Sequence, residues 1–168
     1  MALNQSLLEE YNSEVKLTRK MLEQVPFENP NWQPHEMSMT LQRLASHIAE
    51  IPFWTEYIVA KPDFDFAKTV IERFYAKNTT EQLQKLDDKS AETISILQGA
   101  TDEQLLSTWT MRRGELITSV LPRATAFRNW VIHHTIHHRG QLSVYLRLNN
   151  IAVPGMYGPS ADDRKAMK

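Results

Sequence analysis

The sequence predicts an all-α fold, a four-helix bundle with a small hairpin or irregular insert before the last helix. Apolar residues recur at three-to-four spacing over four long stretches, the mark of helices with one buried face. Only five glycines occur in 168 residues, and two proline-rich stretches read as connections. With 42% hydrophobic residues the chain suits one domain, residues 1–168, with a substantial core.

The first helix is expected from Leu3 to about Val25, with Leu3, Leu7, Tyr11, Val15, Thr18 and Leu22 on one face. Pro26, Pro30 and Pro34 end it, because each removes a backbone donor and disfavours helix in the residue before it. Ser38 or Thr40 can cap a second helix that carries Leu41, Leu44, His47, Ile48, Ile51 and Trp54 inward and runs to about Ala60, kinked at Pro52. Lys61 to Asn78 reads as a connection holding at most one helical turn.

Thr79-Thr80-Glu81-Gln82 fits a capping box with Thr79 as the cap, opening a third helix that ends near Gly99. Thr101 caps a further short turn. Thr108–Met111 and Leu116–Ser119 flank Arg112-Arg113-Gly114-Glu115 as a small hairpin. The last helix is expected from Leu121 to Asn150, after which Ile151–Ser160 is irregular and the charged Asp162–Lys168 frays. No internal repeat is present.

Lys plus Arg number 19 against 20 Asp plus Glu, a formal net charge of -1, which offers no general attraction to nucleic acid or to an anionic membrane. The absence of cysteine removes disulfides, thiolate ligands and a cysteine nucleophile, so any metal must be held by histidine or carboxylate. No apolar run approaches the roughly 18 residues of a membrane span, and no N-terminal signal pattern is seen. The expected location is cytoplasmic, with neither nucleic acid nor membrane as partner.

Four of the six histidines fall between Trp130 and Gln141: His133, His134, His137 and His138. Residues four apart stack on a helix, so His133 with His137, or His134 with His138, can hold one ion. Helical phase favours His134 and His138, which share a stripe with Phe127, Val131, Leu142 and Tyr145. The other pair shares its stripe with Trp130, Gly140, Val144 and Leu148, a flank or a subunit contact. His47, between Leu44 and Ile51 on the inner face of the second helix, is the candidate third ligand. The same histidines also read as core side chains bonded to backbone or Gln141, with no metal. A zincin motif fails because His134 stands where its glutamate belongs, and Glu-x-x-His pairs, a P-loop and a Gly-x-Ser-x-Gly elbow are absent.

The stretch from His134 through His137-His138-Arg139-Gly140-Gln141 to Arg147, followed by Pro154-Gly155-Met156-Tyr157-Gly158-Pro159-Ser160-Ala161-Asp162, resembles the C-terminal signature of the DinB family, the damage-inducible, YfiT-like group of metal-dependent proteins. Val25-Pro26, Trp32-Gln33-Pro34-His35, Ser38-Met39-Thr40-Leu41 and Leu44 to Glu50 extend the resemblance over roughly residues 20–163. It implies an up-down-down-up bundle and a divalent metal, nickel or zinc, on His47, His134 and His138. It also implies a homodimer, and relatives that include bacillithiol transferases and mycothiol-dependent maleylpyruvate isomerases.

Three imidazoles leave open positions on an ion, the arrangement of catalytic metal sites, where a water or thiol is activated. The expected function is therefore that of a metal-dependent thiol transferase or hydrolase acting on a small-molecule thiol or electrophile, with a low-molecular-weight thiol as cosubstrate. The alternative is a non-catalytic bundle that binds metal or a ligand in a stress response. Glu50 and Gln141, one turn after His47 and His138, are the candidate acid-base or orienting groups, with Glu36 or Tyr157 if the loops fold over the site.

Overall fold

The computed structural model describes residues 2–167. In chain order its elements are α1 (Leu3–Leu22), α2 (Leu41–Glu50), β1 (Asp63–Asp65), α3 (Thr79–Gly99), α4 (Asp102–Leu106), β2 (Thr108–Arg113), β3 (Leu116–Pro122), α5 (Arg123–Phe127), α6 (His134–Leu148) and α7 (Ala161–Ala166). Side-chain contacts set the directions of the four long helices. The Asn4 amide reaches the carbonyl of Leu97 at 3.3 Å and Arg19 pairs with Asp87 at 2.6 Å, so α1 and α3 are antiparallel. Gln42 bonds the carbonyl of Ala76 just before α3, and Thr93 bonds the carbonyl of Pro52 just after α2, so α2 and α3 are parallel. Arg128 with Glu10 and Arg139 with Glu14 set the α5–α6 arm parallel to α1. His47 meets His134, while Tyr145 donates to the carbonyl of Met39, so α2 and α6 are antiparallel. The order is up-down-down-up, as the family resemblance implies, in a mostly helical fold with a small strand insert before the last helices.

Two buried apolar clusters fill the bundle. One gathers Leu7, Tyr11, Trp54, Phe64, Trp109, Phe127 and Val131 at the end next to the strands. The other gathers Met21, Leu22, Leu41, Leu44, Ile48, Leu86, Leu142 and Leu146 at the opposite end. His47, His134 and His138 lie where the two meet, because Leu44 and Leu142 belong to one cluster and Val131 to the other.

Several expectations need correction. α1 stops at Leu22, with Val25 buried in the turn beyond it. The helical path of α2 does reach Ala60, but as a 3-10 turn at Ile51–Phe53 and a π turn at Glu56–Ala60, since Pro52 supplies no donor for a regular ladder. The cap of α3 is Asn78, not Thr79: Asn78 Oδ1 accepts from the N–H of Glu81, whose carboxylate accepts from the N–H of Lys77. Thr101 caps α4 as expected, bonding the N–H of Gln104.

The 61–78 connection contains β1, which pairs in parallel with β2 as the third strand of the hairpin sheet. Asp65 holds it there, its Oδ1 accepting from the N–H groups of Ala67 and Gly114. Gly114, at φ 59°, turns the hairpin. The final helical arm begins at Arg123, because Leu121 and Pro122 still belong to β3. It closes with Asn150 at φ 58° and bonds from Asn150 and Ile151 N–H to the carbonyls of Arg147 and Leu146, a Schellman cap. The tail does not fray through Ala166. Ser160 and Asp163 form a capping box that starts α7, and Asp162 pairs with Arg147.

Candidate metal centre

α2 delivers His47 from a firm start, since Thr40 Oγ1 accepts from the N–H of Arg43 at 3.2 Å. His134 and His138 lie on α6 directly after a π turn at Arg128–His133, in which the N–H of His134 reaches back to the carbonyl of Asn129. The wider turn shifts helical phase by part of a residue, and both Val131 and Ile132 are buried before it closes. After it, His138 is buried and His134 half-buried, whereas His133 and His137 are exposed.

The three Nε2 atoms converge: His47 to His134 is 3.3 Å and His134 to His138 is 2.9 Å, and one ligand atom from each ring falls within 4.8 Å of the others. Nitrogens about 2.0–2.1 Å from a tetrahedral ion lie about 3.3–3.4 Å apart, and about 3 Å apart at octahedral right angles. The His47–His134 and His134–His138 spacings fall in this range, and all three ligand atoms lie within 4.8 Å of one another.

The far sides of the rings fix which nitrogen faces inward. His138 Nδ1–H donates to Gln141 Oε1 at 2.7 Å, while His47 Nδ1 lies 3.3 Å from both Glu50 Oε1 and an Arg43 guanidinium nitrogen. The bond to Gln141 places the His138 proton on Nδ1 and leaves its Nε2 lone pair aimed at the centre, and Glu50, an acceptor only, favours the same tautomer of His47. Glu50 is itself held by Arg43 at 2.6 Å and by the N–H of Phe74 at 3.0 Å. Burial pushes its pKa up, but the bonds from His47, Phe74 and Arg43 outweigh this and keep it ionised at lower pH than an ordinary glutamate. His134 differs, because its Nδ1 is buried without a hydrogen-bond partner of good geometry.

Burial lowers the pKa of His134 to about 4, with His138 and His47 adding to the effect against a smaller opposing pull from the backbone of Trp130. Burial likewise lowers His138 to about 4, partly opposed by Gln141. These two imidazoles are therefore neutral near pH 7, the form a metal requires.

Glu50 and Gln141, the candidate acid-base groups, contact the outer nitrogens of His47 and His138 and thereby position the rings. Glu36 is exposed, and His35 Nδ1 accepts from the N–H of Met37, away from the centre. Tyr157 bonds Glu14 and Arg139 instead. The sequence reading missed Arg43, although its spacing of four from His47 and seven from Glu50 puts all three on one helix face.

A mostly helical bundle that gathers three histidines is compatible with a metal-binding site, and its family follows from a comparison with known families. The DinB family model matches residues 1–166, and the chain belongs to that family. It is 26% identical over 161 residues to an uncharacterized protein, YrdA, of Bacillus subtilis (strain 168), covering 93% of this chain and 89% of the other. A DinB-like protein from Bacillus cereus ATCC 10987 superposes with a TM-score of 0.67 at 23% identity, over 89% of this chain and 95% of that one. The DinB-like protein YjoA from Bacillus subtilis gives 0.67 at 19%, over 90% and 96%. At these identities the likeness to the solved structures is one of fold.

Proposed function

We propose that the protein is a divalent-metal-dependent enzyme of the thiol-transferase or hydrolase kind, with nickel or zinc held by His47, His134 and His138. The observation that carries this is the approach of His134 Nε2 to those of His138 and His47 at 2.9 and 3.3 Å, with His138 and His47 each held by a side chain on the opposite side of the ring. A divalent ion on three neutral imidazoles keeps open positions and lowers the pKa of a water or thiol placed there. The chain's part is to hold the ring geometry. Glu50 and Gln141 orient His47 and His138, and Arg43 keeps Glu50 anionic.

Metal analysis of protein purified without a histidine tag, repeated on His134→Ala, tests the centre. One equivalent in the wild type and a loss of most of it in the variant is the expected result; unchanged content overturns the ligand set. The reaction is tested by a conjugation screen with low-molecular-weight thiols and electrophiles, and by ester and amide hydrolysis, on metal-loaded and metal-stripped protein. Equal background rates in both forms overturn the enzymatic reading.

A further inference from the structure

The family resemblance and the cluster described above leave His133 and His137 without a role. Both are exposed, on consecutive turns of the same helical arm. Their four-residue spacing sets Cβ atoms about 5–6 Å apart on one face, within reach of a single ion. Both rings line an open cavity of about 400 Å³, whose walls also carry Ser119, Asn129, Trp130 and His134. Neither imidazole is hydrogen-bonded to another side chain among the described residues, in contrast with the three rings that converge on one another.

We propose that His133 and His137 form a second divalent-cation site in this cavity, separate from the His47, His134 and His138 cluster. Two imidazoles select late first-row ions, copper, nickel or zinc, over magnesium and calcium, which prefer oxygen. The remaining positions are open to water and to the side-chain oxygens of Ser119 and Asn129 on the same walls. With two nitrogens against three, this site binds the more weakly of the two. His134 contributes to both the cavity wall and the cluster, so an ion at His133 and His137 is one imidazole away from the proposed centre.

The test is calorimetric titration of chelator-stripped, tag-free protein with Zn²⁺ and, separately, Cu²⁺. Wild type is expected to bind two equivalents, the second more weakly, and the His133→Ala/His137→Ala double variant only the first. A single equivalent in wild type, or two in the double variant, overturns the proposal. Both substituted residues are exposed, and unchanged far-UV circular dichroism confirms that the double variant is folded. His134→Ala separates this site from the functional reading: it is expected to keep the weaker equivalent alone. If it keeps both, the three-histidine centre fails while the double variant still decides the second site; if it binds none, the second site is not separate.

Discussion

Arg139 of α6 and Glu14 of α1 form a buried ion pair, Nη2 to Oε2 at 2.6 Å, with the guanidinium side chain only 2% exposed. A second nitrogen of Arg139 donates to the Glu14 carbonyl and to Thr18 Oγ1, and Tyr157 closes the group by donating its hydroxyl to Glu14. Arg139 follows His138 by one residue, a rotation of about 100° on the helix. Fixing Arg139 against α1 therefore turns His138 toward α2, where His47 waits.

Glu14→Ala leaves that guanidinium buried without its counter-charge, a loss of about 3–5 kcal/mol when one partner of a buried pair is removed. Urea denaturation is expected to show destabilisation of that order. A change below about 1 kcal/mol, the level of an exposed pair, would sink the argument.

Glu50→Gln keeps the shape of the side chain but removes the charge that draws the His47 Nδ1 proton. Losing such an outer partner lowers metal affinity about 10- to 100-fold. The expected shift is read from competition with a chromophoric chelator, with unchanged affinity as the contrary result.

Acidification of the metal-free protein should destabilise it. His134 and His138 titrate at about 4 in the folded state against 6.5 as ordinary histidines, so the unfolded chain binds more protons between those values. The stabilisation from these two neutral rings is full above pH 6.5, declines as pH falls from 6.5 toward 4, and changes no further below, where carboxylates such as Glu50 with lowered pKa begin to protonate. Denaturation midpoints in the presence of EDTA at pH 7.5, 6 and 5 measure this slope, and His134→Gln is expected to flatten it.

Gly155→Ala is expected to loosen the C-terminal segment. A Cβ at that position would lie 2.3 Å from the carbonyl oxygen of Gly158 and 2.4 Å from Asp163 Oδ2, which accepts from the N–H groups of Gly155 and Ser160. Displacing Asp163 breaks the capping box of α7. Limited proteolysis between Val153 and Arg164 should accelerate; an unchanged cleavage rate would count against the close packing.

Local signals made most of the helical frame readable. The three-to-four apolar spacing marks α1, α2, α3 and α6, and Thr101 and Asn149-Asn150 punctuate them in the expected places. β1 was not legible, because a three-residue strand has no period of its own and takes its form from β2, 47 positions later in the paired register of Asp63 with Thr110. The misplaced α3 cap came from two overlapping local patterns, Thr79 with Gln82 and Asn78 with Glu81; backbone geometry chose the second.

By itself the sequence carried the family resemblance and the bundle, and it made His47, His134 and His138 the candidate trio, phase favouring the last two and the resemblance implying all three, since residue type and helical phase are local properties. Only the tertiary structure decided that their Nε2 atoms converge, that Arg43 and Glu50 back His47, and that Arg139 anchors α6 to α1. Those relationships join residues up to 125 positions apart, as between Glu14 and Arg139. Their distances depend on how helices rotate and pack, on a π turn that shifts the phase of α6, and on buried charges that must find partners wherever the fold brings them.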